Sequence, residues 1–127
     1  MLPAPITAAT ATVYSVSGGS FSDPYFTIKD EDGNVVVPSF AKGRSYIFMA
    51  DTSAGGVSTS HPFFIGECPA TGCAPWSDEN AAKMVANGQD ITGTDGMISF
   101  MVPDDFSGDI CYYCVMHPSP MMKCFSV

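Results

Sequence analysis

Positive charge is scarce in this chain of 127 residues: five Lys and Arg stand against thirteen Asp and Glu, a formal net charge of -8. So acidic a balance excludes the basic surface that non-specific nucleic-acid binding needs, and points to a partner with a basic docking surface. Most of the acids sit in evident turns, among them Asp30, Glu31, Asp32, Asp104 and Asp105, where they also keep the surface solvated. Long apolar runs are missing too. None approaches the roughly 18 residues of a membrane span, so a soluble chain without membrane insertion is expected. There is no signal-peptide pattern ahead of Leu2-Pro3-Ala4-Pro5, which we read as the mature form of an exported protein behind a start Met, bound for a periplasm, a lumen or the extracellular space. Only two histidines are present. A metal site built on imidazole would have to use one or both.

The length suits one domain, 1–127, with residues 1–9 as a flexible lead. Ten prolines, twelve glycines and short apolar runs point to an all-β protein rich in turns. Strand patterns fall at Thr12 to Val16, at Tyr25 to Lys29 in a hairpin with Val35 to Val37, at Ser45 to Ala50, at His61 to Ile65, at Met97 to Val102 and from Ile110 to Cys114. The run Ser45 to Ala50 is apolar on both faces, as in a central strand. Ser77, followed by Asp78 and Glu79 and closed by Gly88, predicts one short helix inserted around 77–88.

Five cysteines are an odd number, so at least one does something other than pair within the chain. The stretch from Cys114 to Met122 combines a thiol, the imidazole of His117 and the thioethers of Met121 and Met122. Together these suit copper better than zinc, iron or calcium. A trigonal site of two imidazoles and one thiolate with a weak axial thioether would need His61 as its fourth member. Three rivals fit less well. Cys111-Tyr-Tyr-Cys114 has the redox Cys-x-x-Cys spacing but lies in strand-like sequence, where no helix N-terminus lowers a thiol pKa. Haem attachment needs His directly after Cys114, where Val115 stands. A zinc site from Cys111, Cys114 and His117 leaves His61, Met121 and Met122 without a role.

With His61 upstream and the Cys-x2-His-x(3 or 4)-Met spacing of Cys114, His117 and Met121 or Met122, the chain resembles the cupredoxins, the type 1 blue copper proteins such as plastocyanin, amicyanin and pseudoazurin. The resemblance runs from about Phe40 to Val127. It implies a cupredoxin-like Greek-key β-sandwich, one copper ion per chain, and no enzymatic activity but one-electron transfer between redox protein partners by a monomer. It places the ligands at His61, Cys114, His117 and Met121, with Met122 as the alternative axial ligand. It implies an electron-transfer surface of Met116, His117, Pro118 and Pro120, with Tyr113 at a second docking area. Pro62 and Met116 flank the thiolate: Pro62 has no N–H to donate to the sulfur, which leaves that of Met116. Strand parity sets Cys111 and Cys124 on one outer face as a bridge, and Cys68 and Cys73 could close a short loop as a second. The clustered Met116, Met121 and Met122 suggest the alternative of an exported carrier or store delivering Cu(I).

Overall fold

A computed structural model describes residues 6–7, 10–67 and 73–127. The expected lead at 1–9 lies mostly outside them, as does Cys68 and with it the expected bridge to Cys73. The described chain folds into eight strands and one short α-helix: β1 Thr12–Ser17, β2 Thr27–Lys29, β3 Ser45–Ala50, β4 Phe63–Gly66, α1 Asp78–Met84, β5 Val85–Gly88, β6 Met97–Met101, β7 Asp109–Cys114 and β8 His117–Ser126. One sheet has the order β2-β1-β3-β6-β5 and the other β4-β7-β8. The doubly apolar Ser45–Ala50 strand is central as expected, pairing parallel with β1 and antiparallel with β6. No described helix is long and apolar enough to cross a membrane.

Alternation along each strand sends one set of side chains between the sheets. Val16, Phe48, Ile98 and Phe100 from the larger sheet are fully buried against Phe63, Ile65 and Ile110 from the smaller one. Aromatic rings join the layers: Phe48 meets Phe63 at 5.8 Å between centroids, and Phe63 meets Phe26 edge-on at 5.0 Å. Each such ring removes 150 Å² or more from water, by order of magnitude, so this contact carries much of the fold's stability. The chain is thus an all-β two-layer structure whose smaller sheet brings β4, β7 and β8 side by side.

Three sequence expectations need correction. The helix stops at Met84, and Val85–Gly88 forms an edge strand on β6 instead of the helix's last turn. Its start is as predicted: the Ser77 hydroxyl accepts the Asn80 N–H, while Glu67 accepts both the Ser77 N–H and the Asn80 side-chain amide. A β-branched residue at 85 and an unpaired β6 edge favour the ladder over a further helical turn. The hairpin expected between Tyr25–Lys29 and 35–37 shrinks to a bridge at Lys29 and Val35. Val35 and Val37 are exposed and Pro38 has no N–H to extend the pairing. Pro62 likewise delays β4 to Phe63, so His61 precedes the strand rather than beginning it.

Tyr112 ties the layers to the loop ahead of β2, its hydroxyl donating to the Pro24 carbonyl at 2.7 Å from an otherwise apolar setting. Burial pushes its pKa well above the ordinary phenol range, with the nearby Asp23 carboxylate adding to the effect. Tyr112→Phe is expected to lower stability by about 1 kcal/mol in urea unfolding, the usual net worth of one hydrogen bond, while preserving the core. An unchanged midpoint would mean that the bond contributes nothing.

Candidate metal centre

His61 is held by a loop that is hydrogen-bonded along its length. Asp51, just after β3, donates its N–H to the Val16 carbonyl and accepts from the N–H groups of Ala54 and Gly56. The Gly18 N–H donates to the Gly56 carbonyl and the Ser58 N–H to the Gly18 carbonyl, Val57 and Gly93 exchange two bonds at 2.8 and 2.7 Å, and the His61 N–H reaches the Ser58 carbonyl at 3.1 Å. Gly19 packs directly beneath. Its φ is 125°, and a Cβ there would stand 3.1 Å from the His61 Cβ and 3.2 Å from that of Ser58, so both conformation and space call for glycine. The Asp51 carboxylate adds to this anchor. The Ser53 hydroxyl at 2.6 Å holds its pKa below the ordinary value, helped by the Lys29 ammonium at 3.5 Å and opposed by burial.

Cys114 ends β7, paired with Phe63 of β4, and the Val115 N–H closes this corner on the Pro62 carbonyl at 2.9 Å. Val115 and Met116 make the turn into β8. The ladder between β7 and β8 then breaks step: Tyr113 pairs with Met122, but Cys114 pairs with His117. Residues 118 to 121 therefore have no partner on β7. Pro118 and Pro120 in this segment lack the N–H groups a regular ladder would use. A bulge of this kind re-aims side chains, and here it brings His117 opposite Cys114 and leaves Met121 buried in the same apolar core.

The Nδ1 atoms of His61 and His117 each lie 3.6 Å from the Cys114 sulfur, and the three ligand atoms fall within 4.8 Å of one another. Donors bound to one metal at about 2.0 Å through nitrogen and 2.3 Å through sulfur stand roughly 3.5 to 3.8 Å apart. The group could therefore hold a metal ion. Cys114 is the one cysteine in thiol form among the described residues and is fully buried, whereas both histidines are half-exposed.

The two candidate axial methionines separate cleanly. Met121 is fully buried in the same apolar core as Cys114, whereas Met122 packs on the outer side with Cys73, Cys111 and Tyr113. Parity along β7 explains the split: Ile110, Tyr112 and Cys114 point into the core, and Cys111 and Tyr113 point away from it. The expected Cys111–Cys124 bridge is present, between residues directly paired across β7 and β8.

Of the expected surface residues, Met116 is 65% exposed, Pro120 is exposed and His117 and Pro118 are half-exposed. Tyr113 is a correction. It is buried rather than open for docking, because Phe64, Met122 and the segment at Cys73 cover that face of β7. Burial raises its pKa far above the phenol range, with the Asp90 charge a smaller cause.

Phe21 was not visible as a site residue in the sequence. It lies in a Ser- and Gly-rich turn between β1 and β2, and no spacing rule links it to either histidine. Yet its ring meets His61 edge-on at 5.0 Å and His117 at 4.9 Å while remaining 60% exposed. An aromatic ring so open to solvent is usually held by a partner, and the two imidazoles are that partner.

Two outcomes follow from this geometry. Phe21→Ala should speed carbethoxylation of the two imidazoles several-fold in the metal-free protein; an unchanged rate would mean that the ring shields neither. Because the folded Asp51 pKa is depressed, its contribution to stability is complete above the ordinary carboxylate pKa and is lost as pH falls through the folded value. Asp51→Asn should thus flatten the acid limb of the stability curve, and a parallel limb would show that the Asp51 carboxylate adds nothing to the backbone bonds that anchor the His61 loop. Neither a family model, nor a curated protein, nor a solved structure matches this chain.

Proposed function

We propose that the protein is a type 1 copper protein of cupredoxin kind, a Greek-key β-sandwich that passes single electrons between partners. The observation that carries this reading is the pair of imidazole Nδ1 atoms at an equal 3.6 Å from one buried thiol. Met121, buried in the core that also holds Cys114, supplies a thioether of the right kind for a weak axial ligand. Hard cations prefer oxygen donors, and this centre offers none among its three clustered ligands. When bound, copper supplies a Cu(II)/Cu(I) couple.

The chain's own residues do the rest. His61, Cys114 and His117 would hold the ion. Their fixed positions, set by the Gly19 contact, the Val115 bond to Pro62 and the β8 bulge, keep rearrangement small when the charge changes. Pro62, lacking an N–H, has nothing to donate to the sulfur, whose contacts in the structure are the two imidazoles. His117 reaches the surface beside Phe21 and next to Met116 and Pro118, so a partner can approach an imidazole edge across apolar contacts that exclude water. The net charge of -8 favours a basic partner and an encounter that weakens with salt. Export to an oxidising compartment agrees with the Cys111–Cys124 disulfide.

A second reading, delivery or storage of Cu(I), draws support from the exposed Met116 beside the centre and from the sulfur atoms gathered at Met122. One titration separates the two. Added Cu(II) should give an intense visible thiolate-to-copper band at one equivalent, with reversible voltammetry, and Cys114→Ser should abolish it. Met121→Leu should keep the band and raise the reduction potential, since weak thioether donation favours the more highly charged ion, whereas Met122→Leu should leave the potential unchanged. A colourless protein that binds only Cu(I) would replace electron transfer with copper handling.

A further inference from the structure

A second group of soft donors lies on the opposite face of β7. The sulfurs of Cys73, Cys111 and Cys124 all fall within 4.8 Å of one another. The Met122 thioether joins them, 3.5 Å from the Cys73 sulfur. Cys73 and Cys111 are buried, with Tyr113, Phe64 and Met122 packed around them. The Tyr113 hydroxyl, buried in the same cluster, has no hydrogen-bond partner among the described residues. Three sulfurs bound to one ion at about 2.3 Å stand roughly 4 Å apart in a trigonal arrangement, so closing this group onto a metal asks for little movement.

We propose that these sulfurs form a second metal site, selective for Cu(I), which exists only when the disulfides are reduced. In the oxidised protein Cys111 is bonded to Cys124, and Cys73 and Cys124 take part in further interactions of their own. The site therefore belongs to the fully reduced chain. A dithiol reductant breaks the Cys111–Cys124 bond by two successive exchanges, and a second equivalent breaks the disulfide that holds Cys73 in the same way. Each equivalent gives up two electrons and two protons to the sulfurs of one disulfide and closes into its own cyclic disulfide. Cu(I) then binds as the thiols of Cys73, Cys111 and Cys124 release protons to solvent, with the Met122 thioether as a neutral neighbour. Thiolate and thioether sets of this type take Cu(I) in preference to Mg(II), Ca(II) or Cu(II).

Backbone geometry keeps the group together after reduction. Cys111 and Cys124 are direct partners across the β7–β8 ladder, and the Cys73 N–H donates to the Pro118 carbonyl of β8 at 3.2 Å. Neither contact depends on the disulfide. The first centre does not share these ligands, because Cys114 faces the core on the other side of β7. Copper capacity would thus follow the redox state: one ion in an oxidising compartment, two in a reducing one.

The test is an anaerobic titration of the full chain with Cu(I) supplied as its bicinchoninate complex, before and after reduction by excess dithiol and its removal. Cys114→Ser isolates the second site from the first. In that variant the oxidised protein should take no tight Cu(I) and the reduced protein one equivalent, and Cys124→Ser or Cys73→Ser added to it should weaken that equivalent at least tenfold. Far-UV circular dichroism of each reduced form checks that the sheets persist, and Met122→Leu added to Cys114→Ser, which keeps the volume, gives a milder loss of affinity in a chain that retains Cys73, Cys111 and Cys124. Equal Cu(I) uptake by oxidised and reduced Cys114→Ser protein would overturn the proposal, as would a second equivalent unaffected by both cysteine substitutions. Loss of the sheets on reduction would overturn it as well. Failure of the first centre to bind copper would show in the wild-type titration alone and leave this result readable.

Discussion

The break in step between β7 and β8 is the constraint on which the candidate centre depends. Had the ladder continued regularly from the Tyr113 and Met122 pair, the next residue opposite Cys114 would have been Met121. Instead His117 takes that place, and four residues with two prolines bow out between them. One short segment thereby delivers an imidazole to the thiol and keeps the Met121 thioether in the same core. The prolines make this economical, because they cannot donate the ladder bonds whose loss the bulge would otherwise cost.

The remaining imidazole comes from a loop rather than a strand, and the fold compensates with hydrogen bonds. Asp51, Gly18, Gly56 and Ser58 tie that loop to the end of β1 and to itself, and Gly19 lets the backbone come close enough to support His61 from below. The Phe48 and Phe63 contact fixes the distance between the sheets, and with it the depth of Cys114. Packing, register and hydrogen bonding thus converge on three atoms. Phe21 completes the mouth, touching both imidazoles from a third segment of chain.

Much of this was legible in the residues. The strands were readable because apolar residues alternate along them, and parity along β7 and β8 was enough to send Cys111 to the outside and pair it with Cys124, whereas the preference for Met121 over Met122 came with the family resemblance. The candidates His61, Cys114 and His117 followed from donor chemistry and spacing, and the structure brings their donor atoms together. What the sequence concealed depended on tertiary contacts. The β-branched Val85 alone would not end the helix at Met84; pairing of 85–88 along the edge of β6 does so. Tyr113 reads as an exposed strand residue until the segment at Cys73 is seen to cover it, and Phe21 looks like loop filler until the loop is folded against His61 and His117. Gly19 gives no sign in the sequence of the Cβ it must avoid. The approach of Cys73 to the β7–β8 bridge likewise has no trace in spacing, since Cys73 sits far from both partners along the chain.

The central claim is that one thiolate and two imidazoles hold copper in a geometry that survives a change of charge. Copper-edge X-ray absorption on the loaded protein, recorded oxidised and then reduced, addresses it most directly. One short copper–sulfur bond and two copper–nitrogen bonds are expected in both states, with small changes in length between them. A shell of nitrogen and oxygen alone, or a sulfur ligand present in only one state, would contradict it.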